Sequence, residues 1–125
     1  LVICGDGEML MGLGSLCSVG LQQPENLAVV VLDNEHFGET GMQTTHTAAS
    51  VNLAEIARAS GISSSWTVRE SSEISTTREK LLHEEGPLFC GIKVRAETLP
   101  LVLPPKEGEI LQKRFRNALM NENGD

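Results

Sequence analysis

The chain has 125 residues, 10 Lys plus Arg against 17 Asp plus Glu, a formal net charge of −7 and 40% hydrophobic residues. That is the length and composition of one globular domain, not of a disordered segment. The acidic balance argues against a nucleic-acid surface, which needs clustered Lys and Arg. The longest apolar run, Leu27 to Leu32, is far short of the roughly 20 residues that cross a bilayer.

In chain order, Leu1-Val2-Ile3-Cys4 reads as a buried strand that runs straight into a Gly5-Asp6-Gly7 turn. No positively charged region or long apolar stretch marks a signal peptide. Domains rarely open inside a central strand, so the expectation is a fragment or a product missing its front end. Met9, Leu10, Leu13, Leu16 and Cys17 recur at three- and four-residue steps, which predicts one helix of about four turns with a single apolar stripe, Cys17 in the core. Gln22 to Asn26 breaks it, and Leu27 to Leu32 is the uniformly apolar run of a strand covered on both faces. Strand, helix and strand within about 32 residues make a right-handed βαβ unit.

Asp33 to Thr47 has no periodicity and predicts a long functional loop. Beyond it the pattern predicts a helix over 52–59 closed by Gly61, a strand over 66–69 and a helix over 72–85 burying Ile74, Leu81 and Leu82. A strand over 88–94, an extended proline-bearing stretch over 99–105, a helix over 107–120 and a frayed end over 121–125 follow. The class is α/β: three layers, a mostly parallel sheet with helices on both faces. Residues 1–120 form one domain and 121–125 a disordered tail.

Asp6 stands at the carboxyl end of the first strand and Asp33-Asn34 at that of the second, 28 positions from Asp6 to Asn34. Parallel pairing would bring both to one sheet edge, where open α/β sheets bind ligands. A carboxylate beside a side-chain amide oxygen is a hard donor set suited to Mg²⁺ or Ca²⁺, not Zn²⁺. Gly7 lets the backbone approach a phosphate, and a helix beginning near Glu8 offers free N–H groups. The features converge on a magnesium-bridged diphosphate.

Gly5-Asp6-Gly7, a spacer of 26 residues and Asn34 resemble the cofactor signature of thiamine-diphosphate-dependent enzymes. That resemblance implies thiamine diphosphate held through Mg²⁺, with Asp6, Asn34 and the backbone carbonyl of His36 as metal ligands. Gly5, Asp6, Gly7, Glu8, Met9, Asn34, His36, Phe37 and Gly38 are the implied cofactor-binding residues. The stretches 5–16, 32–43, 86–89 and 99–105 look like the C-terminal half of the sulfopyruvate and phosphonopyruvate decarboxylase branch, and the likeness extends to about residue 119. A 2-oxo acid decarboxylase is implied, working with a pyrimidine-binding domain or subunit in a homo- or hetero-oligomer. That partner would supply the glutamate that activates the aminopyrimidine. Alternatives are an acetolactate-synthase-like carboligase, the β part of a 2-oxo acid oxidoreductase, or a non-catalytic cofactor-binding fragment.

Among the remaining residues, Gly41-Met42-Gln43 divides evenly between covering the diphosphate and plain loop. His46, His83, Glu84, Glu85, Glu107 and Glu109 read as solvated. Cys4 and Cys90 lie in strands. Three cysteines without metal-ligand spacing point to a reducing, cytoplasmic compartment and no disulfide framework. No residue in the chain itself is identified as catalytic.

Overall fold

A computed structural model describes residues 1–98, 100 and 102–121. In chain order they form β1 (Val2–Gly5), α1 (Asp6–Met11), α2 (Ser15–Gln22), β2 (Ala28–Asp33), β3 (His36–Phe37), β4 (Gln43–Thr44), α3 (Leu53–Ala59), β5 (Ser64–Val68), α4 (Ile74–His83), β6 (Leu88–Lys93) and α5 (Gly108–Asn121). Four strands make a parallel sheet in the order β1-β2-β6-β5, and β3 and β4 make a small antiparallel hairpin. Alternate residues of β2 face opposite ways. Val29 and Val31 join Phe89 against Met9, Leu16, Leu53, Ala57 and Ile62, so α1, α2 and α3 cover one face. Val30 joins Cys90 and Val68 against Trp66 and Leu81, so α4 covers the other. This is the expected three-layer α/β arrangement.

Several local expectations are corrected. The predicted four-turn helix is two helices, because Gly12 and Gly14 make continuation costly. The chain tightens there through i→i−3 bonds from Ser15, Leu16 and Cys17 to Gly12, Leu13 and Gly14. The turn rotates the stripe: Met9 and Leu16 are buried, whereas Cys17 is exposed, not core. β1 is not a buried strand either. It pairs with β2 alone among the described residues, and Leu1, Val2 and Ile3 are 68%, 48% and 60% exposed.

In α4, Leu81 packs inward, but Ile74 and Leu82 are exposed and Thr77 takes a buried position beneath Trp66, whose Nε1–H donates to Thr77 Oγ1 at 3.4 Å. A 3₁₀ turn over Ser71–Glu73 precedes this helix, where backbone N–H donation from Glu70, and then from Arg69, holds the Glu73 carboxyl below its usual range. The 33–47 segment is more regular than expected, folding into the β3–β4 hairpin and the turns Gly38–Thr40 and His46–Ala48. Of the extended 99–105 stretch, Leu99 and Leu101 lie outside the described residues, as do 122–125 of the predicted tail; Asn121 closes α5.

Candidate cofactor site

Parallel register fixes what meets at the carboxyl rim. Gly5 lies opposite Leu32, and Asp33 lies opposite Lys93. The residues just past β1, β2 and β6 therefore share one edge. A cleft of about 670 Å³ opens there. Of the nine sequence-predicted binding residues, Gly5, Asp6, Gly7, Glu8, Asn34, His36, Phe37 and Gly38 line it. Met9 does not; its side chain belongs to the core, and Met11 lines the cleft instead. Leu32 and Val94 add apolar wall, and Arg95 adds a cationic group.

Asp6 begins α1 and is only 2% exposed. Its Oδ2 accepts from Thr45 Oγ1 at 2.5 Å and lies 3.2 Å from Thr47 Oγ1. The Thr47 hydroxyl also reaches Asp33 Oδ1 at 2.7 Å and Thr45 Oγ1 at 2.8 Å. Both threonines follow the hairpin at alternate positions, so both side chains turn back under the rim. Their hydroxyls engage one oxygen of Asp6 and leave Oδ1 for a ligand.

The loop after β2 is shaped by Asx-type bonds. Asp33 Oδ1 accepts from Glu35 N at 3.1 Å, and Asn34 Oδ1 accepts from His36 N at 3.0 Å. Between them Glu35 adopts a left-handed φ of 64°. The His36 ring folds back, with Nδ1 2.9 Å from the Asn34 carbonyl. A carbonyl only accepts, so Nδ1 carries the proton. Gly7 earns its place through Phe37: a Cβ at position 7 would sit 2.5 Å from the ring's Cε1. At Gly5, by contrast, a Cβ would project into space with nothing within 4 Å, so the missing side chain leaves the cleft open for close backbone approach. Gly41, Met42 and Gln43 do not line the cleft; Gln43 closes its own turn through bonds with Thr40.

Lys93 completes the rim. Its ammonium lies 2.9 Å from Asp33 Oδ2, 2.6 Å from Glu35 Oε1 and 3.5 Å from the Thr47 carbonyl. Burial pulls its pKa down, but hydrogen bonds to Glu35 and Asp33, with their charges, prevail and raise it. The Cys4 thiol is pushed up by burial, and the charge of Glu8 adds to this. His46 and His83 are exposed, as expected.

Among the described residues no three His, Cys, Asp or Glu side chains gather as a metal centre. A cation at this rim would take one charged oxygen and fill its sphere with amide, backbone and ligand oxygens, which is the habit of Mg²⁺. The oxygen-only donors and the open space at Gly5 fit a magnesium-bound diphosphate. Sequence reading missed Thr45, Thr47 and the role of Lys93. A lysine ending an otherwise apolar strand was the one available signal, since a buried ammonium needs carboxylates.

Residues 1–92 match the family model described as thiamine pyrophosphate enzyme, C-terminal TPP binding domain. The chain belongs to that family. It is 36% identical over 126 residues to sulfopyruvate decarboxylase subunit beta of Methanocaldococcus jannaschii, a match covering 95% of this chain and 63% of that protein. The corresponding protein of Methanothermobacter thermautotrophicus is 31% identical over 114 residues, covering 91% of this chain and 58% of its own length. Phosphonopyruvate decarboxylase of Streptomyces viridochromogenes is 35% identical over 120 residues, 92% of this chain and 29% of that enzyme. The chain thus spans about three fifths of the length of these two subunit beta relatives. Among its described residues, no helix is long and apolar enough to cross a membrane.

Proposed function

We propose that this chain binds thiamine diphosphate through Mg²⁺ as the cofactor-binding part of a 2-oxo acid decarboxylase acting on sulfopyruvate or phosphonopyruvate. The observation that carries the reading is the single cleft lined by Asp6, Asn34 and His36, with Asp6 tied through one oxygen only. Asp6 Oδ1, Asn34 Oδ1 and the His36 carbonyl would hold the cation. Gly5, Gly7 and the first turn of α1 would receive the diphosphate, and Phe37 and Gly38 would shape the loop beside it. When bound, thiamine diphosphate supplies the thiazolium that takes up the electron pair released with CO₂. The protein's own part is to bind, orient and exclude water, with Arg95 offering positive charge to an anionic substrate.

Residues 1–120 constitute this domain. A pyrimidine-binding domain or subunit completes the enzyme and supplies the activating glutamate, in keeping with relatives whose name, subunit beta, implies a second chain. Three free cysteines fit a cytoplasmic setting.

Calorimetric titration of thiamine diphosphate tests the site. The chain should bind in the presence of Mg²⁺ and lose affinity with EDTA, and Asp6→Ala should abolish binding. Equal affinity in Asp6→Ala would overturn the assignment. Mixed with its partner, the chain should release CO₂ from sulfopyruvate or phosphonopyruvate; release from neither would refute the substrate class.

A further inference from the structure

We propose that Lys93 is a positioning residue for the cation-bearing loop, holding Asn34 and the His36 carbonyl toward the cleft by neutralising the two carboxylates on the loop's other side. This rests on the site assigned above. The loop after β2 is a wall between two cavities. Asn34 and His36 line the cofactor cleft, whereas Asp33 and Glu35 line a separate cavity of about 300 Å³ toward α3.

Lys93 reaches into that second cavity from the end of the adjacent strand, β6. An ammonium has three N–H donors, and here it meets three acceptors: Asp33 Oδ2, Glu35 Oε1 and the Thr47 carbonyl. Two consequences follow. The left-handed backbone at Glu35, unfavourable for a side chain of that type, is pinned from one side by the bond to Lys93. On the other, Thr45 N donates to the Glu35 carbonyl at 2.8 Å.

The second consequence is electrostatic. Asp6 and Asp33 share the Thr47 hydroxyl, so three carboxylates would otherwise crowd one rim beside an anionic diphosphate. Lys93 compensates Asp33 and Glu35 on the loop's far side, so that Asp6 is the buried carboxylate left facing the cleft, which Glu8, Glu39 and Arg95 also line. Partners that orient metal ligands from behind affect affinity by about 10–100-fold.

The test is calorimetric titration of the full chain with thiamine diphosphate at fixed Mg²⁺, alongside thermal melts with and without both. Lys93→Met should weaken binding about tenfold or more and remove most of the ligand-dependent rise in melting temperature. Lys93→Arg should restore part of both, and Glu35→Gln should fall between wild type and Lys93→Met. A purely structural lysine would lower every melt and leave the ligand-dependent rise intact; that pattern, or wild-type affinity in Lys93→Met, overturns the proposal. Should Lys93→Met fail to fold, Glu35→Gln decides, and wild-type affinity there overturns it. Absence of binding by the wild-type chain would overturn the site itself, a result distinct from binding that is indifferent to Lys93.

Discussion

Lys93 and Lys113 each hold a carboxylate oxygen at 2.9 Å, Asp33 in the first case and Glu109 in the second. The side chains of the first pair are 19% and 9% exposed, those of the second 70% and 76%. On α5 the pair is an i,i+4 contact surrounded by water, and such contacts contribute a few tenths of a kcal/mol. At the rim the same separation lies where water is scarce, so each charge depends on its partner, and removing one strands the other. Distance is therefore a poor guide to what an ion pair does. Its surroundings, and the number of groups that lose a partner with it, decide.

The largest effect expected from breaking this contrast is in Lys93→Met, which should destabilise the chain by about 3 kcal/mol in urea unfolding. A loss as small as that of a surface pair would erase the distinction. Thr47→Val comes next, at about 2 kcal/mol, because two buried carboxylates lose a hydroxyl partner with little change of volume; an unchanged unfolding midpoint would mean water replaces the hydroxyl.

A further effect is confined to the alkaline side. Burial, with the charge of Glu73 adding, pushes the Cys90 thiol from 9.0 to about 11, and Lys93 is raised above 10.5. Raised folded-state values mean that stability is complete below the unfolded values and is lost as pH climbs through the folded ones. The urea midpoint should therefore fall from 9.0 toward about 11 through Cys90, and from 10.5 upward through Lys93. Cys90→Ala should flatten the lower part of that decline and Lys93→Met the upper part. Smallest of all, Lys113→Met should shift stability by less than about 0.5 kcal/mol, and added salt should erase even that; a loss matching Lys93→Met would refute the contrast.

The order of strands and helices was legible because periodicity and glycines mark it: the apolar run before Asp33 and the Gly5-Asp6-Gly7 turn locate the rim without coordinates. Asp6, Gly7, Glu8 and Asn34 followed, since they stand at two strand ends that parallel pairing must bring together, whereas Gly5, His36, Phe37 and Gly38 came from the family resemblance. What stayed hidden depends on long-range contact. Nothing local tells that Thr45 and Thr47 turn back to a carboxylate about 40 positions away, or that Lys93 reaches Glu35. The two-helix break was misjudged because the apolar stripe outweighed Gly12 and Gly14, and the exposure of β1 because an apolar strand does not state its own place in the sheet. Met9 and Met11 differ by two residues, enough on a helix to exchange core for cleft.

The sheet order has a temporal corollary. β6, the last strand among the described residues, sits between β2 and β5, so these two cannot be joined into one sheet until it has emerged from the ribosome. Contacts spanning that much chain are slow to close. Lys93 is the last residue of β6. The counter-ion of Asp33 and Glu35 is thus supplied from a segment about 60 positions further along the chain than its partners, and the rim is neutralised only once β6 has joined β2.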